Sequence, residues 1–194
     1  IMYCYPEEIY DELIESMIKD EKVCHYLDMP IQHCNDDILR RMGRKTTKAE
    51  LMERIRMLRE RIPDITLRTT LICGFPGETQ DNHEELMQFV NDMEFDRLGA
   101  FTYSPEEGTK AAAMPDQIDE QIKAARSEKL IALGHDMSKE FRKFYIGKNE
   151  EVLFEEKAVI GDKEYFVGYT KEYVKVAKKA DENLENQIVS GRIS

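Results

Sequence analysis

The chain has 194 residues, of which 41% are hydrophobic and 35% are charged, so it carries enough apolar side chains to form a packed core. Its 39 acidic residues outnumber its 28 basic ones, and the net charge of −11 makes nucleic acid the less favoured partner. No apolar run approaches the roughly 20 residues that cross a bilayer, which excludes a membrane-spanning helix.

The four cysteines are widely spaced along the chain. Cys4, Cys24, Cys34 and Cys73 form no CxxC or CxxH pair, so we predict no metal site built from this chain alone. Free thiols of this kind are typical of reducing compartments, and we expect a cytoplasmic protein. The chain begins at Ile1 with no leader-like segment, and we expect it to be a piece of something longer.

Four short apolar stretches, each followed by a segment of helical periodicity, predict strand–helix units of a parallel sheet. The first strand is predicted at 1–5, where Pro6 ends it, and the second at 26–32. Beyond the second strand, Thr47 and Glu50 have the spacing of a capping box. The helix that starts there is expected to bury Leu51, Ile55 and Leu58.

The third and fourth strands are predicted at 66–73 and 97–103. The third runs directly into a turn that contains Gly74 and Gly77, and a helix follows this turn. The fourth leads through a proline-containing loop to a long helical pattern between Ile122 and Phe141. These units predict an α/β fold with a parallel sheet.

From about Tyr145 the pattern changes to short alternating segments, which predict a small antiparallel β-barrel. We therefore divide the chain into residues 1–144 and residues 145–194. Four parallel strands do not normally close a barrel, because closure links strand number to tilt and stagger. We expect further strands of the first domain to precede Ile1.

Ligands of parallel α/β proteins bind beyond the carboxyl ends of the strands, where loops and helix N-termini meet. The turn from Gly74 to Gly77 is one such end, and glycines there allow close approach of a ligand. A phosphate fits poorly, since Glu78 stands where a lysine would be needed, so adenine or ribose suits the turn better beside Ile72 and Phe75. Equally, the glycines could serve only to make a tight turn.

Two other strand positions offer polar groups. Gln32 or His33 could contact a sugar hydroxyl, or His33 could simply bond to a loop carbonyl. A nucleophilic dyad of His33 and Cys34 is disfavoured, because adjacent strand residues face opposite ways unless the chain bends. Arg68 inside a strand needs a carboxylate partner, which could come from a ligand or from a structural Asp or Glu.

Six segments together resemble the radical S-adenosylmethionine (SAM) methylthiotransferases. They are residues 3–7, 26–33, 41–44, 67–72, 74–79 (Gly-Phe-Pro-Gly-Glu-Thr) and 95–109. The resemblance covers essentially the whole chain in order. It implies a partial (β/α) barrel of the TIM-like radical SAM type, followed by a small antiparallel β-barrel of the TRAM type.

The family resemblance also implies cofactors. Members bind SAM at a four-iron four-sulfur (4Fe-4S) cluster held by a CxxxCxxC loop, and a second cluster through three further cysteines. None of the four cysteines here matches these ligands, so the iron–sulfur clusters would belong to the full-length protein. The chain would then be the second half of the enzyme, inactive alone, and we name no catalytic residue in it.

The chemistry implied by the resemblance is reductive cleavage of SAM to a deoxyadenosyl radical, hydrogen abstraction and transfer of a methylthio group. Eleven residues are placed by the resemblance to line the SAM and substrate cavity. They are Gln32, His33, Arg68, Thr70, Ile72, Gly74, Phe75, Pro76, Gly77, Tyr103 and Ser104.

The implied substrate is an aspartate of a small-subunit ribosomal protein, because Glu106 and Glu107 favour the protein-modifying branch of the family over the tRNA-modifying one. Residues 145–194 contain eight basic and ten acidic residues, and this net charge of −2 suits a basic protein better than tRNA. A tRNA methylthiotransferase and a non-catalytic module that binds a ribosomal protein stay open as alternatives. An aldolase-like barrel is disfavoured, because no lysine stands at a predicted strand end.

Overall fold

The computed structural model describes residues 1–194 as five α-helices and two β-sheets. The helices are α1 (Asp11–Lys19), α2 (Asp36–Arg41), α3 (Lys48–Arg61), α4 (Gln80–Met93) and α5 (Glu120–Tyr145). A parallel sheet contains β1 (Tyr26–Asp28), β2 (Thr66–Cys73) and β3 (Arg97–Thr102), in the order β1-β2-β3. An antiparallel sheet contains β4 (Asn149–Ile160), β5 (Lys163–Tyr169), β6 (Lys175–Lys178) and β7 (Gln187–Arg192). The predicted mixture of a parallel and an antiparallel part is confirmed.

Side-chain hydrogen bonds at the N-termini of α3 and α4 explain where these two helices begin. The predicted capping box at Thr47 and Glu50 is present, and the helix it opens buries Leu51, Ile55 and Leu58 as expected. A second capping box joins Thr79 and Asn82 at the start of α4. These bonds satisfy backbone N–H groups that lack a partner within the helix.

The main core lies between the parallel sheet and the helices that pack on one of its faces. On β2, Leu67, Leu71 and Cys73 are fully buried and belong to a single apolar cluster of 21 residues. The alternate residues of β2 are only half-buried, so the opposite face of the sheet is the more open one. This alternation determines which side chains are available to a ligand.

The predicted strand at 1–5 is wrong, although this segment does lie beside the sheet. The Ile1 amino group donates to the Tyr26 carbonyl at 2.8 Å, and the Cys4 N–H donates to the Asp28 carbonyl at 2.8 Å. A regular ladder does not form, because Tyr3 has a φ of 58° and the chain turns at Pro6 into a short 3-10 helix.

The second strand is shorter than predicted. β1 ends at Asp28, two residues before Pro30, which has no N–H to donate to a ladder. The chain returns to the sheet at Gln32, which forms an isolated parallel bridge with Leu71. Gln32 has a φ of 67°, so the backbone bends at this position.

The antiparallel sheet has the order β6-β5-β4-β7. The predicted alternating segments are confirmed as strands, and their inner faces bury Val152, Phe154 and Phe166. The end strands β6 and β7 do not pair with each other, and a cavity of about 630 Å³ lies between them. The strands therefore form an open sheet, and closure into a barrel stays a prediction.

The two sheets contact each other through Tyr173. Its ring packs on Tyr26 of β1, with 5.3 Å between the ring centroids, and stacks on Tyr169 of β5 at 4.4 Å. Arg97 of β3 donates to the Tyr173 carbonyl at 2.5 Å.

None of the helices combines the length and apolar character that crossing a bilayer would require.

Candidate functional site

The carboxyl ends of β2 and β3 bring several of the predicted site residues together. The Gln32 N–H donates to the Thr70 carbonyl at 3.0 Å, and the Ile72 N–H donates to the Gln32 carbonyl at 2.8 Å. The Tyr103 N–H donates to the Cys73 carbonyl at 2.8 Å. These backbone bonds hold Gln32, Thr70, Ile72 and Tyr103 at one edge of the sheet.

The more open face of the parallel sheet adjoins the carboxyl ends of β2 and β3. Thr70 and Ile72 are half-buried, and their partners in the register of β3 are Gly99 and Phe101. The Phe101 side chain is 60% exposed, which is unusual for a large apolar residue of a sheet. The face therefore offers apolar surface beside the Thr70 hydroxyl.

Arg68 lies on the same face and is paired within the protein. Its Nη1 donates to Asp28 Oδ1 at 2.6 Å and to Thr70 Oγ1 at 3.0 Å. The Asp28 side chain is almost fully buried. Of the two alternatives for the partner of Arg68, the structure shows the structural carboxylate.

The glycine turn is filled by the protein's own side chains. Gly74 and Gly77 have φ values of 72° and 86°, which favour glycine. A Cβ at Gly74 would lie 2.2 Å from Lys123 Cγ, and a Cβ at Gly77 would lie 2.1 Å from Arg41 Nη1. The close approach that these glycines allow is thus used by Lys123 and Arg41.

Glu78 follows this turn and faces inward. Its Oε2 accepts from the Gly74 N–H at 2.6 Å, and its Oε1 accepts from Arg126 Nη1 at 3.0 Å. Arg126 Nη1 also donates to the Glu78 carbonyl at 2.9 Å. Burial raises the pKa of Glu78, and the bonds from Gly74 and Arg126 oppose this shift. The pair ties the turn to α5.

Two buried histidines flank the Glu78 carboxylate. His33 Nε2 and His83 Nδ1 each lie 3.9 Å from a Glu78 oxygen, too far for a hydrogen bond. The Asn35 N–H donates to His33 Nδ1 at 2.9 Å, so His33 carries its proton on Nε2. Burial lowers the pKa of both histidines to about 4, so both are neutral at pH 7. The ion pair of Glu78 and Arg126 is therefore flanked by two uncharged imidazole rings.

The chain does bend before His33 and Cys34, yet no nucleophilic dyad results. The ring nitrogens of His33 face Asn35 and Glu78. Burial raises the pKa of Cys34 to about 12, and that of Cys73 also to about 12. Both thiols are therefore protonated and unreactive at pH 7.

The sequence pattern missed Lys123 and Arg126. Both are buried on the first turns of α5, whereas the apolar neighbours Ile122 and Ala125 are exposed. Lys123 Nζ donates to the Tyr103 carbonyl at 3.1 Å and to Glu120 Oε1 at 2.7 Å. A buried lysine thus does reach a strand end, contrary to our expectation, but from a helix and held by structural partners. In the sequence, only the glycine at position 74 indicated that another part of the chain approaches this turn.

The apolar part of the site is a small cluster of Ile38, Phe75 and Tyr103, with Ile72 packed against it. The Phe75 and Tyr103 rings meet edge to face with 5.1 Å between their centroids. The Tyr103 hydroxyl is buried and has no hydrogen-bond partner. Pro76 is buried beside this cluster, and Ser104 is exposed. Because protein atoms enclose this hydroxyl, it is not accessible to a ligand in this conformation.

The side chains of this chain form no cluster that could bind a metal ion. No group of three or more His, Cys, Asp or Glu side chains could hold a metal ion. Five cavities of 320 to 630 Å³ lie away from the strand ends, and none of them is lined by Thr70, Ile72 or the exposed Phe101.

His83 provides a test of the buried cluster. Its folded pKa of about 4 is below the ordinary value of 6.5, so between these values the unfolded chain binds a proton that the native state does not. Stability therefore falls as the pH is lowered through this window. Both ring nitrogens lack a partner, so His83→Leu loses no hydrogen bond.

We expect His83→Leu to retain roughly 2–3 kcal/mol more stability than the parent at pH 4, relative to pH 7. Urea unfolding at several pH values measures this difference. The raised pKa of Glu78 acts in the opposite direction and is common to both proteins. His135→Leu, at an exposed position, is the control, and an equal pH dependence in all three proteins would contradict the prediction.

Comparisons with known proteins agree with this architecture. Residues 2–90 match the family model of the Radical SAM superfamily. Among solved structures, the radical SAM enzyme coproporphyrinogen III oxidase (HemN) from Escherichia coli is similar in fold, with a TM-score of 0.58 and 21% identity. That alignment covers 70% of this chain and 31% of HemN. The fold of this chain is therefore similar to that of a radical SAM enzyme.

Curated relatives are more similar to this chain in sequence. Ribosomal protein uS12 methylthiotransferase RimO of Clostridium perfringens strain SM101 is 48% identical over 89% of this chain, and that of Lachnoclostridium phytofermentans is 51% identical over 88%. The RimO of Clostridium botulinum strain Hall is 53% identical over 80% of the chain. The chain is thus similar in sequence to radical SAM methylthiotransferases over most of its own length. It spans about 38% of the length of the first two relatives.

Proposed function

We propose that a protein carrying this chain transfers a methylthio group to an aspartate of ribosomal protein uS12 by radical SAM chemistry. The observation that supports this proposal is the identity of about 50% to RimO proteins over most of the chain. In this proposal residues 1–144 form part of a TIM-like barrel, and residues 145–194 form a TRAM-type unit. The enzyme would work in the cytoplasm.

SAM is the cofactor of this family, and the open face fits its adenosyl group. Ile72 and Phe101 offer apolar surface for adenine, while the Thr70 hydroxyl offers a polar contact. Gln32 lies beside β2 on the side away from β3, through its bridge to Leu71. His33, Gly74 and Gly77 would act from behind this surface, because they contact other parts of the protein.

The 4Fe-4S cluster does not fit this chain. A cluster needs several cysteine thiolates close together, whereas the four cysteines are apart and two are buried and protonated. When bound, SAM supplies the radical chemistry. The residues of this chain would orient the cofactor, exclude water behind it and position the substrate.

The experiment compares two substrates of a reconstituted protein of the relatives' length that contains this chain. We expect methylthio incorporation into ribosomal protein uS12 and none into tRNA, measured by mass spectrometry under reducing, oxygen-free conditions. The net charge of −2 over residues 145–194 supports this choice, since a domain that grips tRNA is usually basic. Incorporation into tRNA alone would favour the tRNA-modifying alternative.

The same protein tests the open face. Ile72→Asp places a carboxylate where the adenine would pack, and we expect it to weaken SAM binding at least about tenfold in equilibrium dialysis. Ile131→Asp, at an exposed position of α5, is the matched control. Equal SAM affinity in the two variants would remove the open face from the proposed site.

A further inference from the structure

A groove of about 510 Å³ lies on the outer surface, between the end of α4 and the second half of α5. Its floor is apolar and consists of Phe95, Leu133, Met137 and Phe141. The three residues from α5 are spaced four apart, so they form one stripe along the helix. All three are half-buried, which leaves apolar surface exposed in the groove. We call this feature the acidic groove, for the charges on its rim.

The rim carries four carboxylates and one cation. Glu94, Asp96, Asp136 and Glu140 line the groove, and Lys139 is the single basic residue among them. Asp96 accepts from the Leu67 N–H at 2.8 Å, and Glu140 accepts from Lys143. The carboxylates of Glu94 and Asp136 form no ion pair, so they remain available to a partner.

We propose that the acidic groove docks a basic segment of a protein partner, with one apolar side chain on the floor and lysine or arginine side chains at the rim. Charge complementarity of this kind speeds and orients association. The proposal deepens the proposed function and rests on it for the identity of the partner, a basic ribosomal protein. A nucleic acid is disfavoured, because the rim carboxylates would repel its phosphates.

The groove would be a second contact, separate from the candidate site. Phe95 and Asp96 precede β3, whereas Tyr103 follows it. Seven residues of extended chain span about 23 Å, so the groove and the candidate site lie at opposite ends of the sheet. A partner held at the groove would thus be tethered without occupying the open face.

Binding of a labelled peptide to the intact 194-residue chain tests the proposal without any cofactor. The probe is a short peptide rich in lysine and leucine, and its counterpart carries glutamate in place of lysine. We expect the basic peptide alone to bind, with an affinity that falls as salt is raised. Hydrogen exchange should show added protection along residues 133–141.

The variant Glu94→Gln/Asp136→Asn should weaken peptide binding about five- to twentyfold at low salt, as expected for two exposed charge pairs. Met137→Gln removes apolar floor and should weaken it further. Glu53→Gln/Glu128→Gln removes two exposed carboxylates elsewhere and should bind like the parent. Thermal unfolding shows whether each variant is folded.

Equal weakening in the groove and control variants would overturn the proposal, since it would indicate only the overall negative charge. Protection confined to another surface would overturn it as well. Binding and methylthiolation of purified uS12 are then measured to distinguish a failure of this proposal from a failure of the proposed function. Groove-dependent binding of uS12 without methylthio incorporation would contradict the proposed function alone, whereas incorporation that is insensitive to the groove variants would contradict the groove.

Discussion

Glu78→Gln is expected to destabilise the protein by about 3–5 kcal/mol in urea unfolding at pH 7. Glutamine keeps the shape of the side chain and can still accept from the Gly74 N–H. It removes the only carboxylate that pairs with Arg126, whose side chain is also buried. An unpaired buried cation is costly because desolvation is no longer offset by attraction.

A second substitution separates the charge effect from loss of packing. Arg126→Met in the Glu78→Gln background removes the stranded cation, and we expect this double variant to recover part of the lost stability. Glu84→Gln, at an exposed position of α4, should change stability by less than about 0.5 kcal/mol. If Glu78→Gln behaved like Glu84→Gln, the ion pair would not hold the turn to α5.

Gly168→Ala is expected to disrupt the antiparallel sheet. Gly168 is buried on β5 opposite Phe154, beside an irregularity in the register between Phe154 and Glu156. A Cβ there would lie 2.1 Å from the Leu153 carbonyl oxygen and 2.6 Å from Phe154 Cα. These are backbone atoms, so relief requires the two strands to separate. Overpacking of this kind costs about 1–3 kcal/mol, and we expect the upper end.

Hydrogen exchange of β4 and β5 measures this effect directly, and thermal unfolding by circular dichroism gives its size. Gly191→Ala is the matched control, because Gly191 lies on β7 with open space around it and an ordinary backbone conformation. We expect this control to exchange like the parent. Unchanged protection of β4 in Gly168→Ala would show that the close approach of the strands is not required.

The placement of charged residues shows how far sequence reasoning reaches. Periodicity assigned α5 correctly as a helix and predicted its buried side from Leu130 onward, but not at its first turns, where Lys123 and Arg126 are buried instead of Ile122 and Ala125. Their partners are Tyr103 and Glu78, which are 20 and 48 residues away in the chain. No local pattern contains that information.

Contacts between distant segments also explain why some residues predicted to bind a ligand at the strand ends contact the protein instead. The resemblance placed Arg68 and Gly74 near a ligand, and the structure shows that Asp28 pairs with Arg68 and that Lys123 fills the space at Gly74. An arginine within a strand indicates that a carboxylate lies nearby. It does not indicate which carboxylate, because the pairing depends on the neighbouring strands.

By itself, the sequence determined the order of β1, β2, β3 and the helices that follow them, the capping box at Thr47, the buried side of α3 and the resemblance to radical SAM methylthiotransferases. These follow from spacings of a few residues and from motifs, which local hydrogen bonding and side-chain periodicity control. Only the tertiary structure decided that Glu78 faces inward to Arg126, that β6 and β7 stay unpaired, and that an acidic groove flanks α5. Those features depend on contacts between segments far apart in the chain, where burial changes the energy of a charge.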